Sequence, residues 1–138
     1  MNTPIPFSER LIRWQKQHGR HHLPWQVKNP YCVWLSEIML QQTQVATVLD
    51  YYPRFLAKFP TVQSLAAAPQ DEVLSLWAGL GYYSRARNLH KAAQQVVGQF
   101  GGIFPSDRKD LETLCGVGRS TAAAISAFAF NRRETILD

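Results

Sequence analysis

Glu37 is the residue of this sequence whose type and setting best suit acid–base chemistry. It stands in the run Trp34-Leu35-Ser36-Glu37-Ile38-Met39-Leu40, an acid among apolar neighbours. Burial disfavours the charged form of a carboxyl, so a Glu in such a run is expected to keep its proton near neutral pH and to act as a general acid. A buried Glu paired with an arginine or a helix end is the plainer alternative, and the spacing leaves both open. Gln41 and Gln42 follow, and at helical spacing Gln41 shares the Glu37 face. Two solvated amides are the alternative there.

The second chemical feature is Gly116-Val117-Gly118-Arg119-Ser120. A glycine-rich turn that enters a helix points backbone N–H groups outward, and two missing Cβ atoms let a phosphate approach them. The stretch Leu74 to Gly81 echoes Leu111 to Gly118: a short amphipathic helix, Gly-x-Gly, then a second helix. Two simple helix–turn–helix corners account for the same pattern. A serine in the first turn of a helix, like Ser120, is by itself a common capping residue.

These residues need helices to hold them, and the chain reads as helix after helix. Ser8 caps a first helix that Gly19 ends. Asn29-Pro30 has the form of a cap followed by proline at the first helical position, opening a helix from Tyr31 to about Gln41 that is apolar nearly all round. Thr43 caps the next helix, which Pro53 is expected to kink or break before Phe55 to Phe59. Short helices follow over Thr61 to Ala67 and Gln70 to Ala78, and a longer one over Gly81 to Phe100, stopped by Gly101-Gly102. Ser106 caps a short helix to Thr113, and Arg119 to Phe130 forms an alanine-rich buried helix.

At 138 residues, 46% apolar and 12% aromatic, the chain can bury a core as one compact domain or part of one. Fifteen Lys+Arg against ten Asp+Glu give a formal net charge of +5, which favours a polyanionic partner. The positive charge is grouped: Arg10, Arg13, Lys16, Arg20 and Lys28 form one run without an acid, and Arg85, Arg87 and Lys91 another. A solvated helix face explains such runs equally well. Two cysteines, Cys32 and Cys115, are too few for a disulfide framework or a four-thiolate metal site. His18, His21 and His22 lack an accompanying carboxylate and are interrupted by Gly19, so no metal site is expected. No signal-peptide stretch and no run of about 18 apolar residues appears, so a reduced cytoplasmic setting is expected and a membrane span is not.

Leu114-Cys115-Gly116-Val117-Gly118-Arg119-Ser120-Thr121-Ala122 resembles the helix–hairpin–helix of the DNA glycosylase superfamily that includes endonuclease III. Leu23-Pro24-Trp25, Trp34 to Val45, and Gly79-Leu80-Gly81-Tyr82-Tyr83-Ser84-Arg85-Ala86-Arg87-Asn88-Leu89 narrow the likeness to the MutY-type adenine DNA glycosylases over nearly the whole chain. The resemblance implies an all-α two-lobed fold. Residues 1–28 would be an N-terminal helix and linker against the second lobe. Residues 29–131 would be the six-helix lobe, with the hairpin at 114–118, and residues 132–138 would begin the return segment. The second lobe, the four cysteines of a [4Fe–4S] cluster and a domain reading 8-oxoguanine are expected beyond Asp138.

Adenine leaves deoxyribose readily only when protonated, while the sugar develops oxocarbenium charge, so an acid at the base and an anion at the sugar are needed. By resemblance Glu37 is that acid, protonating adenine at N7, and Asp138 is the anion. Bifunctional relatives carry a lysine at the position of Ser120, whose amine forms a Schiff base with the sugar. With serine there, water is expected to be the nucleophile, giving a monofunctional enzyme. Leu40, Gln41, Gln42 and Thr43 are expected to line the adenine pocket, Gln42 also probing the widowed partner. Tyr82 would wedge into the stack, with Leu80 near it, and Trp25 and Gln26 would touch the base. Gly116, Val117, Gly118, Arg119 and Ser120 would hold the DNA backbone. Two departures stand out: Cys115 where the family has proline, and His21 where relatives carry a basic residue.

The leading expectation is a monomeric base-excision-repair glycosylase that removes adenine opposite 8-oxoguanine or guanine from double-stranded DNA, nucleoid-associated if bacterial. An endonuclease III-like glycosylase/lyase on oxidised pyrimidines, and a DNA-binding fragment without activity, are the alternatives.

Overall fold

The computed structural model describes residues 29–130, and every regular element among them is a helix. They are α1 (Pro30–Leu40), α2 (Val45–Lys58), α3 (Val62–Ala67), α4 (Gln70–Trp77), α5 (Tyr83–Phe100), α6 (Arg108–Leu111, a single turn) and α7 (Arg119–Phe130). The expected first helix, the linker with Trp25 and Gln26, the three neighbouring histidines, the first basic run and the return segment with Asp138 lie outside the described residues.

The sequence signals that open α1 act as expected. Asn29 Oδ1 accepts from the amides of Tyr31 at 2.9 Å and Cys32 at 3.4 Å, and Pro30 occupies a first-turn position that has no intrahelical acceptor to serve. Every residue from Tyr31 to Leu40 is buried. The helix lies against α2, α5 and α7, so its lack of a polar face matches its lack of a wet side.

α3 is closed at its start by a reciprocal cap: Thr61 Oγ1 accepts from the Ser64 amide and Ser64 Oγ from the Thr61 amide, both at 3.1 Å. α3 and α4 pack on α5, and α2 packs on α4. The aromatic centre joins these layers: the Phe55 ring meets Phe59 at 5.2 Å and Trp77 at 6.1 Å, edge to face. A second aromatic pair joins Trp34 of α1 to Phe104 at 5.4 Å.

Four expectations about helix boundaries are corrected. α2 runs unbroken through Pro53. The proline is exposed, while Val48, Tyr52 and Phe55 anchor the helix on both sides of it, and Arg54 Nε donates to the Asp50 carbonyl at 3.2 Å. Thr43 does not cap α2; the cap position is Gln44, without a side-chain bond, and Thr43 has other partners described below. Ser106 does not cap α6, which starts from Asp107; instead the Ser106 carbonyl accepts from Ser126 Oγ at 3.1 Å and ties the loop to α7. α5 starts at Tyr83 rather than Gly81, because both Gly81 and Tyr82 have positive φ.

Candidate active site

Glu37 sits in the second half of α1, 2% exposed, and Ser36 beside it turns its hydroxyl back to the Val33 carbonyl at 2.8 Å. Gln41, one turn later, reaches across to α7: its Nε2 donates to Thr121 Oγ1 at 3.4 Å. The end of the helix that carries the acid is thus tied to the first turn of the helix that carries Ser120. A small cleft of about 30 Å³ lies there, lined by Ile38, Gln41, Arg85, Asn88, Cys115 and Gly116. It has room for a water-sized group.

Beyond Gln41 the chain reverses through Gln42, which is exposed with φ +57°. Tyr82, on the loop between α4 and α5, is 60% exposed with φ +52°. Among the described residues these two are the non-glycine residues with positive φ. The left-handed conformation costs an ordinary residue about 1–2 kcal/mol, so each loop has to be held by its surroundings.

A buried side chain bonds to both loops. Arg85, in the first turn of α5, is 8% exposed. Its Nη1 donates to the carbonyls of Ile38 (3.1 Å), Met39 (3.0 Å) and Gln41, all at the end of α1. Its Nη2 donates to Thr43 Oγ1 (2.9 Å) and to the carbonyls of Leu80 (3.4 Å) and Gly81 (3.3 Å). The Arg85 Cζ lies 5.2 Å from the centre of the Trp77 ring and 5.6 Å from that of Tyr82. Trp77 Nε1 in turn donates to the Gly81 carbonyl at 3.1 Å. Burial pulls the Arg85 pKa below the usual arginine range, and Tyr82 opposes that pull.

Arg85, Arg87 and Lys91 share one basic run in the sequence; the structure separates them, with Arg85 inside and the other two exposed. A signal was present. α1 ends without a glycine cap and without a basic residue in its last turn, so its last carbonyls require a donor from elsewhere.

The hairpin is built from Leu114 to Arg119, between α6 and α7. Gly116 has φ +78°, and a Cβ there would come within 3.1 Å of Asn88 Cβ. Gly118 has open space where a Cβ would be, and its carbonyl accepts from the Ala122 amide at 2.9 Å, opening α7. Gly116, Gly118, Arg119 and Ser120 are exposed, whereas Val117 is buried, its amide donating to the Leu114 carbonyl at 3.1 Å. Leu40 and Leu80 are likewise core residues, 3% and 7% exposed, so they support the neighbouring loops from beneath. Gln95 of α5 latches the hairpin: its Oε1 accepts from the Cys115 amide at 2.6 Å and its Nε2 donates to the Thr113 carbonyl at 3.2 Å. Cys115 Sγ lies 3.3 Å from Asn88 Oδ1, a polar contact with α5.

Cys32 and Cys115 are both free thiols, one inside α1 and one at the hairpin. A cluster that needs four thiolates finds too few in this sequence. Among the described residues no group of three or more His, Cys, Asp or Glu side chains is assembled for a metal ion, and no helix is long and apolar enough to cross a membrane.

The chain is 49% identical over 137 residues to an adenine DNA glycosylase of Buchnera aphidicola subsp. Baizongia pistaciae, covering 99% of this chain and 39% of that protein. It is 46% identical over 142 residues to the adenine DNA glycosylase of Homo sapiens, covering 96% of this chain and 26% of the relative. It therefore spans well under half the length of these curated relatives. Among solved structures it superposes on a thermostable thymine-DNA glycosylase with a TM-score of 0.80 at 28% identity, covering 96% of this chain and 61% of that one. A non-covalent endonuclease III–DNA complex gives a TM-score of 0.76 at 26% identity, covering 100% and 65%. The family of HhH-GPD superfamily base excision DNA repair proteins matches residues 35–135. By sequence, helical architecture and hairpin together, the chain belongs to the HhH-GPD superfamily.

Proposed function

We propose that this chain carries the acid, the base-probing loops and the DNA-gripping hairpin of an adenine DNA glycosylase acting on adenine opposite 8-oxoguanine or guanine. The observation that carries the reading is the joint placement of Glu37, sealed in α1, with the exposed Gln42 and Tyr82 loops held to the end of that helix. The family and the relatives at 46–49% identity point the same way.

In this reading the duplex backbone lies on Gly116 to Ser120, where the first-turn amides of α7 and the helix dipole meet phosphate. Tyr82 enters the stack, and the adenine leaves it and travels toward Glu37, with Gln41 and Gln42 bonding its polar edge. Glu37 gives its proton to N7. The bond between C1′ and N9 breaks with its electron pair on the base, and neutral adenine departs. Asp138, outside the described residues, balances the oxocarbenium charge until water adds at C1′ and loses a proton. Ser120 has no amine with which to trap the sugar.

The test is release of free adenine from an adenine:8-oxoguanine duplex by the full-length protein. Glu37→Gln keeps the shape of the side chain and removes the acid, and single-turnover release is expected to fall by at least about 10²–10⁴-fold. An unchanged rate overturns the acid role. Borohydride is expected to trap no covalent DNA adduct; trapping of one overturns the monofunctional reading in favour of endonuclease III-like glycosylase/lyase chemistry.

A further inference from the structure

We propose that Arg85 is the positioning residue that makes the Gln42 and Tyr82 loops a single lesion-reading unit. The inference rests on the functional reading above, and deepens it.

The two loops come from distant parts of the sequence, one after α1 and the other between α4 and α5. Each carries an exposed probe on a left-handed residue, a backbone state that does not persist without support. The hydrogen bonds within each loop stay on its own side: the amide of Thr43 reaches the Leu40 carbonyl at 3.4 Å and its hydroxyl the Gln41 carbonyl at 3.3 Å, while the amide of Leu80 reaches the Trp77 carbonyl at 3.0 Å and Trp77 Nε1 the Gly81 carbonyl at 3.1 Å. Between them lies one planar, rigid cation. Its two terminal nitrogens meet the backbone on both sides, from Ile38, Met39 and Gln41 to Leu80 and Gly81, and its face meets the Tyr82 ring.

Geometry makes the connection mutual. A shift of the Gln42 loop moves the acceptors of Nη1 and Thr43, and the guanidinium then turns as a body against the Leu80–Gly81 carbonyls and the Tyr82 ring. Lysine cannot substitute: a single ammonium on a flexible stem has three donors and no fork, so it serves one loop at a time. Arg85 itself is buried under both loops and is not a surface phosphate contact. It acts through Gln42 and Tyr82.

The test uses the full-length protein with Arg85→Lys and, as a gentler change, Thr43→Val, which keeps side-chain volume while removing one acceptor of Nη2 and the Thr43 hydroxyl bond to the Gln41 carbonyl, so that the response of the Tyr82 loop, which Thr43 does not itself bond, is the deciding readout for this variant. Hydrogen exchange is read for peptides over 40–44 and 79–83 and, as a control, over 121–128 in α7. Affinity is read for duplexes with and without the adenine:8-oxoguanine pair.

Arg85→Lys is expected to speed exchange in both loop peptides together by about tenfold or more while leaving α7 unchanged. It is expected to lower the preference for the lesion duplex at least about tenfold with nonspecific binding retained, since the hairpin is untouched. Thr43→Val is expected to move both readouts in the same direction by less. Faster exchange in only one loop, or wild-type exchange in both, overturns the proposal, as does an unchanged lesion preference. If Arg85→Lys fails to fold, Thr43→Val decides by the same criteria. If the wild-type protein releases no adenine, the functional reading falls and the exchange data still judge the coupling. If adenine is released and the two loops respond independently, the coupling alone falls.

Discussion

Gly116 and Gly118 stand two residues apart in the same hairpin and serve different ends. Gly116 is required by the fold: its φ of +78° and the nearby Asn88 side chain leave no comfortable place for a Cβ. Gly118 has no such constraint and leaves an open approach to the start of α7. Gly116→Ala is therefore expected to cost about 1–2 kcal/mol of stability in urea unfolding. Gly118→Ala is expected to change stability by less than about 0.5 kcal/mol, and to weaken duplex binding because a methyl group then stands between backbone and phosphate. Comparable unfolding midpoints for the two variants contradict this division. The Gly-x-Gly pattern was legible in the sequence, but it could not say which glycine serves the turn and which the surface. The same limit hid Arg85. Charge grouping marks a residue as basic without saying which side of a helix start it occupies, and the left-handed residues before α5 set that side. The unmet carbonyls of α1 were the available clue.

At the scale of elements, α5 carries the connections that sequence periodicity cannot show. Arg85 bonds to the loop after α1 and to the loop before α5, Asn88 meets Cys115 and the Gly116 corner, and Gln95 latches the approach to the hairpin. Gln95→Ala removes two bonds to backbone atoms. It is expected to cost about 1–3 kcal/mol and to speed amide exchange around residues 113–117 before any other segment; global loosening with no excess there contradicts the latch. Local rules read the elements well where the deciding atoms are neighbours in sequence. Asn29-Pro30 opened α1 and α7 occupies Arg119–Phe130 as expected, while Thr61, read as the first residue of a short helix, is the cap of α3. They failed where tertiary contacts decide. Pro53 is tolerated because Val48, Tyr52 and Phe55 are anchored in the core on both sides of it. Thr43 and Ser106 looked like caps, but their polar atoms go to Arg85 and Ser126 on other helices.

For the molecule as a whole, burial of polar side chains sets a limit at high pH. Burial raises the pKa values of Tyr31 and Tyr52 well above the ordinary range, with Cys32 contributing to both, and the Tyr31 hydroxyl donates to the Phe59 carbonyl. In the unfolded chain tyrosine ionises near pH 10. The unfolded state thus sheds these protons first, so their contribution is complete below about pH 10 and shrinks above it, by about 1.4 kcal/mol per pH unit for each tyrosine. Urea unfolding from pH 9 to 11 is expected to show a steeper loss for the native sequence than for Tyr31→Phe/Tyr52→Phe, and parallel curves contradict the assignment. The all-helical architecture was legible from helical periodicity and turn residues; which tyrosines lie within it depends on how the helices meet.

α1 has no dry-and-wet division, because α2, α5 and α7 enclose it. Undocking any one of those three floods the surroundings of Glu37 with solvent, and a carboxyl in water releases its proton at neutral pH. On the function proposed above, the acid is therefore armed only by complete assembly: a half-built or partly melted copy of this domain would carry a carboxylate where protonation of the base calls for a carboxylic acid.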